Sequence, residues 1–282
     1  MATTDTPDHV AQSGWKSFWA RGAWWKAILL VVAYAAVYIG ISQLLGLIYG
    51  GNLGEPGTAQ NNLLLYGLPI FVGGIIPLFL FAWSVGWLKE LFARQPIRGH
   101  WWMWIAVGVV LLTNVLRFAA LDYGKAGFEL VAAWLLSGLC VGIAEEVLTR
   151  GLVVNILRKA GYKEIIVAVV SAALFALLHV TNLLGGQNLG ATALQVVYTF
   201  AFGVCMYLAL RVTGNLIWPI LLHASTDPSI SLMGYATPGS GLTAIAAFGN
   251  FPVIIVGLIL LIFIRGRVQR NAEGLTAPTL AS

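Results

Sequence analysis

The sequence contains few charged residues and only two cysteines. Of its 282 residues, 10% are Asp, Glu, Lys or Arg, whereas 59% are hydrophobic and the mean hydropathy is +0.85. Soluble globular proteins carry about a quarter charged residues, so this composition excludes a water-soluble enzyme and a disordered chain. Cys140 and Cys205 lie in apolar stretches, which excludes a disulfide framework and a C-x-x-C metal pair. The net charge of +5 is not concentrated in a basic cluster with interleaved aromatic residues, so we expect no nucleic-acid partner.

What the chain does contain is a series of long apolar runs. A membrane-spanning helix needs about 20 apolar residues, and these runs lack the alternation that is typical of strands. The sequence therefore predicts an all-α fold, a polytopic membrane helical bundle of about eight transmembrane helices. The predicted spans lie at 27–49, 62–86, 101–120, 127–158, 164–182, 191–212, 214–230 and 247–264.

The lysines and arginines fall in alternate loops. Basic residues precede the first span, follow the second, fourth, sixth and eighth, and are missing from the loops at 50–61, 183–190 and 231–246. Only Arg117 and Lys125, near the third loop, break this alternation. The positive-inside rule therefore predicts that both termini are cytoplasmic.

The spans group into consecutive segments with different expected roles. The first three have no ionisable residue in their central parts and are expected to act as a scaffold. The charged turn at 158–164 is expected to be solvated, and both chain ends are expected to be loose. The predicted segments are a cytoplasmic tail at 1–26, scaffold helices at 27–126, a catalytic core of helices four to seven at 127–230, an outer loop with helix eight at 231–265, and a cytoplasmic tail at 266–282.

Six ionisable side chains stand out inside the predicted spans, all in the second half of the chain. A charge at membrane depth costs a few kcal/mol, so each such residue needs a partner or a function. The six are Glu145, Glu146, Arg150, His179, His223 and Asp227.

The two adjacent glutamates are predicted to differ. Glu146 and Arg150 are four residues apart, which places them on one helix face as an ion pair. Glu145 lies about 100° away around the helix and has no local counter-ion. Glu145 therefore suits a general base or a proton carrier, and the alternative is an interhelical hydrogen bond.

Helix geometry allows the other groups to meet Glu145. Glu145 lies 16 residues before Gly161, and His179 lies 18 residues after it. At 1.5 Å per residue both lie about 24–27 Å from that turn, at nearly the same level. His223 and Asp227 are four residues apart and share a helix face. We therefore expect two histidines and several carboxylates in one bundle.

Three short motifs carry these residues. Residues 145–150 (EEVLTR) fit E-E-x-x-x-R, residues 175–179 (FALLH) fit F-x-x-x-H, and residues 223–227 (HASTD) fit H-x-x-x-N/D. Together, in this order, they resemble the CPBP group, which comprises type II CAAX prenyl endopeptidases and bacterial relatives linked to bacteriocin processing and immunity. The resemblance covers about 140–230 and implies an intramembrane endopeptidase with an eight-helix core and a site open toward the cytosolic side.

The resemblance also implies roles for the site residues. Glu145 and His179 would orient and deprotonate a water molecule, and His223 and Asp227 would stabilise the oxyanion. The prenyl-protease members carry Asn where this chain has Asp227, and an ionised Asp cannot donate to an oxyanion. Asp227 is therefore expected to be protonated, to orient His223 or to bind a metal. The supporting positions are Glu146, Arg150 and Phe175.

A zinc-dependent version of the same protease is the alternative mechanism. The ligands would be Glu145, His179, His223 and Asp227, with a water molecule in the open position. The sequence has no H-E-x-x-H helix, so we favour glutamate-dependent hydrolysis without a cofactor. The predicted partners are the lipid bilayer and a peptide or lipidated protein substrate, and the predicted location is a bacterial inner membrane.

Two other classes of protein share these features. Intramembrane Glu, His and Asp also mark proton-coupled transporters, but we find no paired broken helices and no inverted repeat. The second alternative is a catalytically silent immunity or scaffold protein. Cleavage of a reporter, compared with ion or substrate flux, distinguishes these classes from a protease.

Overall fold

Eight membrane helices, numbered here in chain order, build the computed structural model, which describes residues 14–50, 52–271 and 274–276. Seven of them are long and apolar enough to span a membrane: Trp24–Tyr49, Ala59–Ser84, Trp101–Ala120, Phe128–Lys159, Glu164–Leu183, Leu189–Thr213 and, as the eighth, Gly241–Leu261. The seventh, Ile217–Ser231, has 15 residues and continues into the 3-10 turn Leu232–Tyr235. Its length of about 22 Å is less than the ~30 Å hydrocarbon core.

The predicted all-α polytopic bundle is confirmed, because each predicted span coincides with one of these helices, although seven of the described helices, and not eight, are long and apolar enough to span a membrane. In hydrocarbon a helix satisfies its own backbone hydrogen bonds, which is why the apolar runs fold in this way. The shorter elements are the helices Gly14–Ala20, Leu88–Phe92 and Tyr123–Ala126 and the antiparallel strands Gln269–Asn271 and Gly274–Thr276.

The helix ends define two sides of the bundle. The basic side carries the loop 85–100 and the turn 160–163, and the opposite side carries the loops 50–58, 121–127, 184–188 and 232–240. Both described chain ends lie on the basic side. Gly22 lies against the backbone of Ala160, and the Glu164 amide donates to the Gly266 carbonyl at 2.9 Å. An even number of passes explains this arrangement, and the cytoplasmic position of the basic side stays a prediction.

The residues that precede the first helix are packed rather than loose, which corrects the expectation for this part of 1–26. Trp19 is 4% exposed and meets Phe81 edge-on, with ring centroids 4.9 Å apart. Near the other end, Val268 is 1% exposed. A short helix lying against the bundle needs no 20-residue apolar run, so hydropathy alone does not detect it. The remaining parts of both predicted tails lie outside the described residues.

The charged turn on the basic side is solvated at Lys163, but the expectation is wrong for the two charged residues at its ends, Arg158 and Glu164, which are buried. Glu164 is 0% exposed and accepts two hydrogen bonds from Arg158, at 3.0 and 2.7 Å. It also pairs with Arg211 at 3.2 Å and accepts from the Tyr207 hydroxyl. Arg158 reaches Gln95 in the loop 85–100 at 2.6 Å. This network ties the fourth, fifth and sixth helices to that loop.

Arg117 is one of the two exceptions to the charge alternation, and the structure explains it. Its side chain is 3% exposed and donates to Asn250 Oδ1 at 2.7 Å, so it lies inside the bundle. The positive-inside rule counts loop charges and does not apply to a buried arginine. Lys125 is exposed on the opposite side and remains an exception.

Two glycines bring the fourth and seventh helices into close contact. A Cβ atom on Gly138 would lie 2.4 Å from Pro228 Cγ, and one on Gly142 would lie 2.7 Å from the Ile220 carbonyl oxygen. Small residues four positions apart allow helix backbones in membranes to approach closely. The contact places the helix that carries His223 directly against the two glutamates.

Candidate active site

The fourth helix changes its winding at the two glutamates. It is α-helical to Glu146, π-helical over Val147–Val153 and α-helical again from Val154. Such π-segments occur frequently at functional sites. The predicted pair is present within this segment, because Arg150 Nη1 donates to Glu146 Oε1 at 3.1 Å and both side chains are 0% exposed. Arg150 also lies over the Phe175 ring, with its guanidinium carbon 4.5 Å from the centroid.

His223 lies between the two glutamates. Its Nδ1 is 2.7 Å from Glu146 Oε1, and because a carboxylate only accepts, Nδ1 is the donor. Its Nε2 is 3.5 Å from Glu145 Oε2 and 3.7 Å from Asp227 Oδ2. The Phe175 and Phe202 rings meet the imidazole edge-on at 5.6 and 4.9 Å. The ring is thus held at one nitrogen while the other faces two carboxylates.

His179 is fixed by its own helix. Its Nδ1 lies 3.0 Å from the Phe175 carbonyl oxygen, one turn earlier. Since a carbonyl accepts, Nδ1 carries the proton, and Nε2 of the neutral ring is an acceptor. The F-x-x-x-H spacing places the Phe175 ring 5.0 Å from the imidazole in an edge contact.

A cavity of about 830 Å³ joins three of the predicted residues. Glu145, His179 and Asp227 line it, whereas His223 lies behind its wall and is 1% exposed. Glu145 and Asp227 have side chains 18% and 38% exposed. Glu145 Oε2 is buried and, among described residues, accepts no hydrogen bond, although His223 Nε2 lies 3.5 Å away.

The cavity walls contain residues that the sequence did not indicate. Tyr34 and Tyr38 come from the first helix and Tyr66 from the second, so the predicted scaffold also builds the site. Tyr34 and Tyr38 stack with centroids 6.2 Å apart. Their four-residue spacing on an otherwise apolar helix was a detectable signal, as was the Gly138–Gly142 spacing. Further lining residues are Trp134, Asn182, Gln187, Gln195, Tyr198, Asn250 and Phe251.

The cavity lies toward the opposite side of the bundle. Asn182 and Ser231 are at the ends of the fifth and seventh helices on that side, and Gln187 is in the loop between the fifth and sixth. The sequence predicted cytoplasmic basic loops and a site open to the cytosol. The side of the bundle that faces the cytosol stays a prediction, and so does the opening of the site toward it.

The four residues named as possible zinc ligands do not form a metal-ligand group. Within the described ranges, no three His, Cys, Asp or Glu side chains are grouped closely enough to hold a metal ion. His223 Nδ1 already bonds Glu146 and His179 Nδ1 already bonds its own helix. These bonds leave the Nε2 atom of each ring available, as in histidines that bind a metal through Nε2, so the metal-independent mechanism stays a prediction.

One family model matches the chain. Residues 127–228, a little over a third of the sequence, match the family described as type II CAAX prenyl endopeptidase Rce1-like. No curated protein sequence matches the chain. The matched segment contains all three motifs. It also contains every site residue described above, except the cavity-lining residues that come from the other helices. The match of 127–228 thus supports the CAAX protease family that the motifs predicted, and the seven apolar helices indicate an integral, multi-pass membrane protein.

Proposed function

We propose that the protein hydrolyses a peptide bond with a water molecule activated by Glu145 and His179. The observation that supports this most strongly is that both side chains line the same cavity, while Glu146 holds His223 with its Nε2 3.5 Å from Glu145 Oε2. Peptide hydrolysis needs a base for the water and a donor for the oxyanion. The site offers both.

The water donates one hydrogen to His179 Nε2, whose partner Nδ1 is held by the Phe175 carbonyl. The water donates its other hydrogen to Glu145, which takes that proton as the oxygen attacks the carbonyl carbon. Glu145 then gives the proton to the leaving amine, so the two products are a carboxylic acid and an amine, and transfer of the acid's proton to the amine gives a carboxylate and an ammonium group. Glu145 suits this role because Arg150 is already paired with Glu146.

His223 is the proposed oxyanion donor. With protons on both ring nitrogens, its Nδ1–H donates to Glu146 and its Nε2–H turns toward the tetrahedral oxygen. Asp227, 3.7 Å from Nε2, orients this ring or, when protonated, donates a second hydrogen bond. Glu146, Arg150 and Phe175 hold the ring in place and are positioning residues.

We propose that the reaction is metal-independent, and this is supported by the described residues, among which no three His, Cys, Asp or Glu side chains are grouped closely enough to hold a metal ion. The substrate is a peptide or lipidated protein segment within the bilayer, and the proposed location is a bacterial inner membrane. We propose that cleavage takes place at the cytosolic membrane face, as the family resemblance implies.

The test uses the full-length protein in proteoliposomes with membrane-anchored fluorogenic peptide reporters. We expect cleavage by the wild type, no cleavage by Glu145→Gln, and no proton flux in either. Proton flux without cleavage would identify a transporter instead. Neither cleavage nor flux across a broad peptide library would identify a silent binding protein.

A further inference from the structure

A second cavity, of about 390 Å³, lies at the basic side of the bundle. Residues from 90–96 of the loop 85–100 form one wall, and residues from 150–159 of the fourth helix form the other. Its volume lies in the range of small-molecule binding pockets. None of the four proposed catalytic residues lines it, so it is a site distinct from the catalytic cavity.

The ionisable residues of this second cavity are mostly cationic. The described lining residues include four cations and one acid: Arg94, Arg150, Arg158, Lys159 and Glu90. Arg150, Arg158 and Lys159 each have a carboxylate partner. Arg94 is exposed, and its side chain has no hydrogen bond or ion pair with any described residue. Because a concave surface lined by charges of one sign concentrates the opposite ion, this cavity favours an anion.

Two buried donors that belong to lining residues lack an acceptor. Asn155 is 8% exposed and Arg150 is 2% exposed. Neither Asn155 Nδ2 nor Arg150 Nε has a hydrogen-bond partner among the described residues. Buried polar groups are almost always hydrogen-bonded, so these donors call for an acceptor from outside the described chain. The oxygen atoms of an anion accept several hydrogen bonds, and such bonds are stronger than those between neutral groups.

We propose that this second cavity binds a phosphate group. The guanidinium of Arg94 can pair with two phosphate oxygens at once, and Lys159 adds a point charge from the other wall. Trp83 and Trp218, which are exposed on the same side of the bundle, place this end at the membrane interface, where lipid headgroups carry phosphate. The phosphate is therefore that of a phospholipid headgroup or of a soluble ion, and the experiment below distinguishes the two. The proposal does not depend on peptide cleavage.

Calorimetric titration of the full-length protein in detergent tests the site. The probes are dioctanoyl phosphatidic acid, sodium phosphate and, as a lipid without phosphate, dioctanoylglycerol. Arg94→Gln removes the unpaired cation, and its matched control is Arg98→Gln, which is exposed in the same loop and does not line the cavity. Glu90→Gln removes the acid of the wall and releases Lys159, and its control is Glu129→Gln, exposed on the opposite side. The melting temperature of each variant shows that it is folded.

We expect phosphatidic acid to bind the wild type, and Arg94→Gln to raise its Kd about tenfold through the loss of a charge-assisted hydrogen bond. Glu90→Gln should lower the Kd about threefold, since a partly exposed charge has a modest effect, and both controls should leave it unchanged. Binding of phosphatidic acid alone identifies a lipid headgroup, whereas the same pattern with sodium phosphate identifies a soluble phosphate. Equal Kd values for Arg94→Gln and Arg98→Gln, equally tight binding of dioctanoylglycerol, or no binding of either phosphate probe would overturn the proposal.

Discussion

At the scale of single residues, the two adjacent glutamates contact different partners. Glu146 Oε1 accepts from both Arg150 and His223, and its side chain is fully buried. Glu145 lines the cavity and is partly exposed. This difference follows from their 100° separation on the helix, which is why the sequence alone could predict it.

We expect Glu145→Gln to lower the rate of cleavage by about 10²–10⁴-fold, the contribution typical of a general base, and to leave the melting temperature unchanged. Glu146→Gln should also lower the free energy of unfolding by about 3–5 kcal/mol, because Arg150 stays buried without its counter-ion. Thermal unfolding of both purified variants measures the change in stability, and reporter cleavage measures the change in rate. Equal melting temperatures for the two variants would contradict the division of roles.

A second prediction at this scale concerns Asp227→Asn. The amide has nearly the same shape and can donate to an oxyanion, so activity should persist or rise, and the pH profile should lose the step due to Asp227 titration. If Asp227 were a zinc ligand, the weaker amide ligand would lower metal affinity, and activity would fall and recover with added zinc. The measurement is activity against pH with and without zinc, beside metal analysis. Metal-independent hydrolysis would be refuted if the wild type contained stoichiometric zinc and the variant had lost both the zinc and the activity.

At the scale of helices, the contact of the fourth with the seventh helix positions the site. Gly142→Ala would place a Cβ atom 2.7 Å from the Ile220 carbonyl oxygen and push His223 away from Glu146. Displacement of a catalytic group by 1 Å can cost about 10²-fold in rate, so we expect a loss of that order. Gly46→Ala is the matched control, since nothing lies within 4 Å of that position. Similar activities for the two variants would show that the glycine contact does not position His223.

The sequence predicted the elements well because membrane helices are set by local composition. It placed all eight helices, the Glu146–Arg150 pair and the meeting of residues from three helices. It did not predict the buried Glu164, because a charged turn between two spans has the composition of a solvated loop. It also did not predict that Tyr34 and Tyr38 line the cavity, since contacts between distant helices depend on packing that hydropathy does not encode.

At the scale of the whole molecule, the buried network around Glu164 holds the basic side together. Glu164→Gln would leave Arg158 and Arg211 buried without a counter-ion, and we expect a loss of about 3–5 kcal/mol in the free energy of unfolding. The matched control is Glu90→Gln, which breaks a partly exposed pair with Lys159 and should cost about 0–1 kcal/mol. Thermal unfolding in detergent compares the two. A Glu164→Gln protein as stable as the Glu90→Gln protein would show that the network adds no stability.

The central claim is that Glu145 drives hydrolysis of membrane polypeptides, and the most direct test needs no known substrate. Peptide N-termini are quantified by mass spectrometry in membranes from cells that produce either the wild type or Glu145→Ala at equal levels. We predict a set of new N-termini in the wild-type membranes, with the matching precursors intact in the variant. Identical sets of N-termini in the two membranes, with both proteins folded, would contradict the claim.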